Sequence, residues 1–546
     1  MRLEALVQGS IQQALAQLGW SFSGLIPVDR PRRPEHGDIS TRLPFMLAPS
    51  LGKAPQEVAH ALAQKLRHNP AFAAVRPEAG FLNFVLQPQA LHAVLKEILQ
   101  DGLAYGRFPV GQGRLLQVEF VSSNPTGPLT IGHLRQAALG DVLASLYEDQ
   151  GWKVVREYYL NDEGRQIDLL AQSLWARYRQ ALGHDEPVPP GGYQGAYLVP
   201  LGEELAKAWG DRYPVWTEQA RQVFRTEAVA RMMDMIHEDL QAIGVRFDVW
   251  TREGDLHRRG LVSEALLALR DKGAVYEKDG AQWLHSTAWG LSRDVVLVRS
   301  DGTPTYTMVD IAYHLDKVRR GFTLVIDVQG ADHVDEQRQV LLALKILGLP
   351  HGFLRYCLHQ FVTLKGEEGV QRMSTRAGRF LRLTDLVDAV GRDVARYFMV
   401  MRKPESHLVF DFELAKDTSM ENPVYYVQYA HTRIASVFRE GARSREWPVD
   451  PPQLDLSPLT DPEELALVKE LDRFPDMVRL AAQELAPHLV CEYLEGLAGL
   501  FHPYYARVRV LGQGPATPAR LGLLAGIKLV LARGLGLLGV SAPEEM

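Results

Sequence analysis

Phosphate chemistry needs hydrogen-bond donors and fixed positive charge where negative charge develops, and two segments of this chain carry such groups. The first is Val118-Glu119-Phe120-Val121-Ser122-Ser123-Asn124-Pro125-Thr126-Gly127-Pro128-Leu129-Thr130-Ile131-Gly132-His133. It reads as a buried strand, a tight turn through Pro125, Thr126 and Gly127, and a helix opening on Gly132 and His133. Free amides and the positive end of a helix dipole at such a turn can face an anion, typically a phosphate. His133, in the first helical turn, can donate a hydrogen bond to developing phosphoryl charge. Taken alone, Gly132-His133 reads more simply as a plain turn with a capping histidine. The second segment is Arg372-Met373-Ser374-Thr375-Arg376, which taken alone reads as a solvated basic loop.

Between them, Val328-Gln329-Gly330-Ala331-Asp332-His333 directly follows a predicted strand. That placement suits the C-terminal edge of a parallel sheet, where ligands collect. Asp332 as a helix N-cap is a compatible, plainer reading. Glu119 interrupts an otherwise apolar strand, where an unpaired carboxylate would be costly. Asp310 follows Tyr306 by four residues, which puts both on one helical face.

The elements that must position these groups are legible in the periodicity. The run from Leu115 to Val121 is followed by a helical stripe of Leu134, Ala137, Ala138, Val142, Leu146 and Tyr147, ending at Gly151. Val154 to Leu160 supplies the next strand. Strand, crossover helix and strand make the unit of a parallel sheet with right-handed connection. A helical stretch over about residues 165–245, broken at 187–192, interrupts the pattern. The sheet is expected to resume at Val295–Val298, 322–328 and 354–361. The helical stripe of Leu3, Leu6, Ile11 and Leu18 and the alternating Gly80–Leu86 make the N-terminal part α+β, and Gly106 to Gly113 reads as a linker. Beyond Asn422 strands give way to long amphipathic segments, an α-helical bundle.

At 546 residues the chain is too long for one ordinary domain. Its 46% hydrophobic and 23% charged residues suit large buried cores. No apolar run reaches the roughly 20 residues needed to span a bilayer, and no secretory signal opens the chain, so a cytoplasmic protein is expected. Cys357 and Cys491 stand far apart in apolar settings, which argues against a thiolate zinc site. A net charge of -6 does not advertise a nucleic-acid binder, though phosphate contacts need only a local basic surface.

The first segment resembles the "HIGH" signature of class I aminoacyl-tRNA synthetases, in the wider frame of the bacterial arginyl-tRNA synthetase family. Thr130 stands where that signature often has its first histidine. Arg372 to Arg376 resembles the "KMSKS" loop, with Arg372 for its first lysine and Thr375 for its second. Arg372, Arg376 or Lys365 is therefore expected to carry the charge. Pro34 to Ser40 and Ala79 to Phe84 resemble the family's N-terminal domain, which touches the tRNA elbow. Glu421 to His431 resembles the entry to its anticodon-binding domain, and its tyrosines suit either base stacking or a core stripe.

The resemblance implies an α/β, Rossmann-like parallel-sheet catalytic domain over 109–415 with its helical insertion, an α+β tRNA-contacting domain over 1–108, and an α-helical anticodon-binding domain over 416–546. It implies ATP with Mg2+ as substrate, L-arginine and tRNA(Arg) as the other partners, no protein-bound metal, no membrane, and a monomer. Catalytic roles fall on Gly132, His133, Arg372, Ser374 and Arg376. The nucleotide would be held by Pro125, Thr126, Gly127, Thr130, Gly132, His133, Gly330, Asp332, His333 and Met373. A guanidinium can be gripped by a carboxylate through two parallel hydrogen bonds, a role expected of Asp310 beside Tyr306. Glu119, Ser122 and Asn124 would face the ammonium end, with Tyr313, His314 and Gln329 as walls. Two rivals remain: a synthetase-like RNA-binding or regulatory protein with a degenerate site, suggested by Thr130 and Thr375, and a class I synthetase for another amino acid. Missing zinc-ligand cysteines speak against a cysteinyl enzyme, and the small insertion against the branched-chain types.

Overall fold

The apolar run that ends at Glu119 becomes the central strand of a five-stranded parallel sheet. A computed structural model describes residues 3–31, 33–366, 369–371, 382–444 and 454–546. The sheet strands are β1 (Leu115–Glu119), β2 (Lys153–Leu160), β3 (Val249–Arg252), β4 (Leu324–Gly330) and β5 (Leu354–His359), in the order β5-β4-β1-β2-β3. All four pairings are parallel, with Glu119 beside Asp327 and Gly330 beside His359. The order reverses between β1 and β4, and in a doubly wound sheet a crevice opens at that point.

Strand alternation divides the apolar side chains between two faces. Leu116, Val118, Ile326 and Val328 pack with helix α1 (Ile131–Asp149), which crosses from β1 to β2. Gly140 permits that contact, because a Cβ there would run into the Phe120 ring. Three helices, α2 (Arg165–Ala181), α3 (Leu198–Trp209) and α4 (Glu218–Ala242), form the insertion, with their own core around Leu174, Trp175, Phe224 and Met232. On the other face Val325 and Leu354 pack with helices α5 (Tyr306–Arg319) and α6 (Val334–Ile346).

Val295–Val298 does not continue the parallel sheet as expected. It pairs antiparallel with Ala281–Leu284, which pairs in turn with Val275–Lys278. The first two of these strands along the chain are joined by Asp279 and Gly280, both at positive φ, 54° and 72°, as a tight hairpin turn requires, and Val295–Val298 adds to the free edge of that hairpin. The fifth parallel strand is instead β3, a four-residue segment not expected from periodicity.

Near the N-terminus, Ile39–Thr41, Phe81–Leu86 and Phe72–Glu78 form a three-stranded antiparallel sheet under the helices Leu3–Leu18 and Pro55–Leu66. The C-terminal part is helical, with α7 (Pro423–Arg443), α8 (Pro462–Gln483), α9 (His488–Arg507) and α10 (Ala516–Leu537). Among the described residues, no helix is long and apolar enough to cross a membrane.

Candidate active site

At the C-terminal ends of β1 and β4 lies a cleft of about 1500 Å³. Every described candidate residue lines it except Pro125, His314 and Lys365. Arg372, Met373, Ser374, Thr375 and Arg376 lie outside the described residues.

The chain leaves β1 through two non-glycine residues in left-handed conformation, Val121 (φ 66°) and Ser122 (φ 40°). Such backbone costs on the order of 1–3 kcal/mol per residue and persists where surrounding contacts enforce it. The Ser122 hydroxyl donates to Glu119 Oε1 at 3.0 Å and accepts the Tyr159 N–H at 3.1 Å. Tyr158 clasps Ser123, accepting its N–H at 3.0 Å and donating to its carbonyl at 2.9 Å. Farther along, the Leu129 N–H donates to Asp239 Oδ2 of α4 at 2.7 Å.

Thr130 is the N-cap of α1, with extended backbone (φ -108°, ψ 172°). Its N–H donates to His133 Nδ1 at 3.0 Å. Nδ1 is thus an acceptor, and the ring proton sits on Nε2. Burial, aided by nearby His359, lowers His133 to about 4, so the imidazole is neutral at pH 7. Thr130, in place of a histidine, sets the tautomer of the one that remains.

Beyond the second basic segment, Arg382 forms an antiparallel bridge with Thr130, and the Leu383 N–H donates to the Leu129 carbonyl at 2.9 Å. Before it, Lys365, exposed on the half-buried strand Val362–Gly366, pairs with Asp411 at 2.8 Å. Of the three candidate cations, Lys365 is therefore already engaged.

At the other end of the cleft Thr305 caps α5, its hydroxyl accepting the Met308 N–H at 3.4 Å. Tyr306 is 65% exposed, and Asp310 and Tyr313 follow along the helix. Beneath them lies a buried chain of charges. Lys317 Nζ is 2.7 Å from Glu119 Oε2 and 3.1 Å from Asp327 Oδ1. His314 Nε2 is 2.9 Å from Asp327 Oδ2, and its Nδ1 is 3.2 Å from Asp310 Oδ1. Burial raises the Glu119 carboxyl, with Lys317 pulling back and Asp327 adding to the rise. Asp327 is held below the usual carboxylate range, because Lys317 and His314 outweigh its burial. His314 rises to about 9, its own burial overcome by Asp310 and Asp327.

One expectation is revised here and another refined. His314 is not a wall residue: it is fully buried and holds Asp310 and Asp327 from behind. Glu119, a carboxylate that would be costly if unpaired, is bonded by Lys317 and Ser122 and still lines the cleft. Lys317 and Asp327 were not foreseen. The available signals were Asp327 inside an apolar strand and Lys317 seven residues after Asp310, on the same helical face.

Other lining residues carry no sequence signal. Asn124 donates to Gln166 of α2 at 2.8 Å, and the Tyr197 hydroxyl beside α3 donates to the Thr126 carbonyl at 2.6 Å. Glu253 accepts from Tyr159 at 2.9 Å. Around the rim, Gln329 accepts from Gln337 at 2.9 Å, while Asp332 lies in a short 3-10 turn and does not cap α6. Bonding to Glu336 at 3.2 Å raises His333.

A parallel sheet in this order, with a Gly-His helix start at its switch-point cleft, is the framework of a class I aminoacyl-tRNA synthetase catalytic domain. The family model "tRNA synthetases class I (R), catalytic domain" matches residues 94–416, with "Arginyl tRNA synthetase N terminal domain" over 5–86 and "DALR anticodon binding domain" over 427–546. The arginine–tRNA ligase of Thermotoga maritima is 45% identical over 525 residues, 95% of each chain. That of Desulforudis audaxviator is 43% identical over 552 residues, covering 100% of this chain and 98% of its own. The structure of Thermus thermophilus arginyl-tRNA synthetase superposes with a TM-score of 0.76 at 26% identity, covering all of both chains. The chain belongs to the arginyl-tRNA synthetase family.

Proposed function

We propose that this chain activates L-arginine with ATP and charges tRNA(Arg) for translation. The arginine carboxylate attacks the α-phosphorus of ATP, and the bond to pyrophosphate breaks to leave arginyl-adenylate. A hydroxyl of the tRNA's terminal ribose then attacks the activated carbonyl, losing its proton, and AMP departs. Positioning and electrostatics carry both steps, without a protein nucleophile.

The observation that carries this reading is a single cleft with two chemically different ends. One end holds the start of α1 and a neutral His133 whose Nε2–H can donate. That suits phosphate charge that grows in the transition state. The other end holds Asp310 beside Tyr306 and Tyr313 over a floor of buried carboxylates, which suits a planar cation. In our reading Asp310 grips the guanidinium, and Asn124, Ser122 and Glu119 face the ammonium, with Gln329 and Tyr313 as walls. Pro125 to Gly127, Thr130, Gly132 and Gly330 to His333 surround the nucleotide. Arg372 and Arg376 deliver the charge that meets departing pyrophosphate, with Ser374 acting beside them and Met373 against the nucleotide. Magnesium enters as part of the ATP substrate, carried on the phosphates, as its preference for phosphate and water oxygens favours.

We assign residues 1–108 to the tRNA elbow, 109–415 to catalysis and 416–546 to the anticodon, and place the enzyme in the cytoplasm as a monomer that activates arginine only with tRNA bound. Pyrophosphate exchange into ATP, with each amino acid and with or without tRNA, tests the reading. Exchange with arginine is expected; none in either condition refutes the enzyme, and exchange with lysine or glutamine instead refutes the specificity.

A further inference from the structure

His359, the last residue of β5, lines the cleft beside Gly330 and has no part in the roles above. Its Nδ1 lies 3.4 Å from the Gln360 carbonyl oxygen. A carbonyl can only accept, so Nδ1 carries the proton and Nε2 presents a lone pair. That Nε2 is buried and has no hydrogen-bond partner among the described residues. Burial also lowers the ring to about 4, keeping it neutral. A buried acceptor left unpaired is costly, and such an atom in a cleft calls for a ligand that donates to it.

The two neutral imidazoles of this cleft therefore have opposite polarity. His133 offers an N–H, and His359 offers a lone pair. A phosphate oxygen, itself an acceptor, is attracted to the first and repelled by the second. His359 must face the uncharged part of the nucleotide, and it stands next to the rim of Gly330 and Asp332, whose charge it feels.

We propose that His359 Nε2 accepts a hydrogen bond from the adenosine half of ATP, given by a ribose hydroxyl or by the 6-amino group. The inference rests on the reading of this cleft as an ATP site. Arginine-dependent pyrophosphate exchange on the full chain with tRNA tests it, using ATP, 2′-deoxy-ATP, 3′-deoxy-ATP and purine riboside triphosphate, which lacks the amino group. In the unmodified protein, the analogue lacking the donor should show a KM about tenfold above that of ATP. In His359→Leu the KM for ATP should rise about tenfold, and that same analogue should come within about twofold of ATP, because its partner is gone. His359→Gln, which keeps an acceptor oxygen, should restore part of the discrimination. His359→Phe replaces leucine if the latter does not fold.

Analogue penalties unchanged between the unmodified protein and the leucine or phenylalanine variant would overturn the proposal. So would the absence of any penalty in the unmodified protein, which needs no variant. Failure of arginine-dependent exchange with ATP itself would overturn the ATP reading together with the inference. Exchange with unchanged penalties overturns the inference alone.

Discussion

Thr130 and Arg382 lie side by side in an antiparallel bridge, so the returning end of the second basic segment is stitched to the cap of α1. Asp239 reinforces the join, accepting the Leu129 N–H at 2.7 Å and standing 3.9 Å from the Arg382 guanidinium. The segment's other flank is held from α1 as well. Arg135 donates to the carbonyls of Gln360 at 2.7 Å and of Ser406 and Lys403 at 2.9 Å. Gln360 and Arg382, which precede and follow the second basic segment along the chain, are therefore both tied to the helix that opens on Gly132 and His133.

Asp239 should make stability depend on pH in a specific window. Burial pushes its carboxyl up to about 6, the Leu129 N–H and Arg382 only partly opposing it. The unfolded chain releases that proton near pH 4, whereas the folded chain keeps it until about 6. The group's contribution is thus fully present at the acid end of the window and is lost as pH rises through the folded value. Asp239→Asn retains an acceptor for Leu129 and removes the titration. In urea unfolding, the asparagine variant should gain on the unmodified protein from pH 4.5 to 6.5 and by a constant amount above. A difference independent of pH would refute this account.

Asp310 should govern arginine and not ATP. Asp310→Asn keeps the shape but removes the charge, and charged hydrogen bonds contribute about 1.5–3 kcal/mol. The KM for arginine in pyrophosphate exchange should rise at least tenfold, roughly the effect of 1.4 kcal/mol, with the KM for ATP nearly unchanged. Equal rises in both would remove Asp310 from the guanidinium site.

Lys317 should matter first to folding. Its fully buried ammonium bridges Glu119 and Asp327, and Lys317→Met leaves Glu119 without a cation and Asp327 with His314 alone. Breaking a buried pair in this way costs on the order of 3–5 kcal/mol, readable as a shifted urea midpoint. The deficit should shrink toward pH 5, as the carboxylates protonate, and adding Asp327→Asn should recover part of it. A variant as stable as the unmodified protein at pH 8 would show the bridge to be dispensable.

The parts of the site nearest in sequence were the most legible. Strand, turn and helix from Val118 to His133 announced themselves because each depends on local periodicity and on proline and glycine geometry. The helical stretch over 165–245 and its break at 187–192 were visible for the same reason, though not the second break between α3 and α4. Val295–Val298 was misplaced because four apolar residues carry no information on parallel or antiparallel pairing; Asp279-Gly280 marked only the neighbouring hairpin to whose edge it adds. β3 was missed because its four residues are too few to show a period. Tyr197 and Gln166 had no signal, since what they touch lies in the first segment, far away along the chain.

The sequence by itself determined the family, most of the order of helices and strands, and the strand, turn and helix that open on Gly132 and His133, because these are properties of residue type and short spacing. The tertiary structure alone decided which charges face each other and which protons they hold. Lys317 reaches Glu119, and Arg382 reaches Thr130, only through sheet pairing and loop return. Protonation followed from the same packing: His133 is neutral because it is buried, and His314 is charged because two carboxylates flank it. Burial and long-range proximity set both outcomes, and neither is written in any stretch of chain short enough to read.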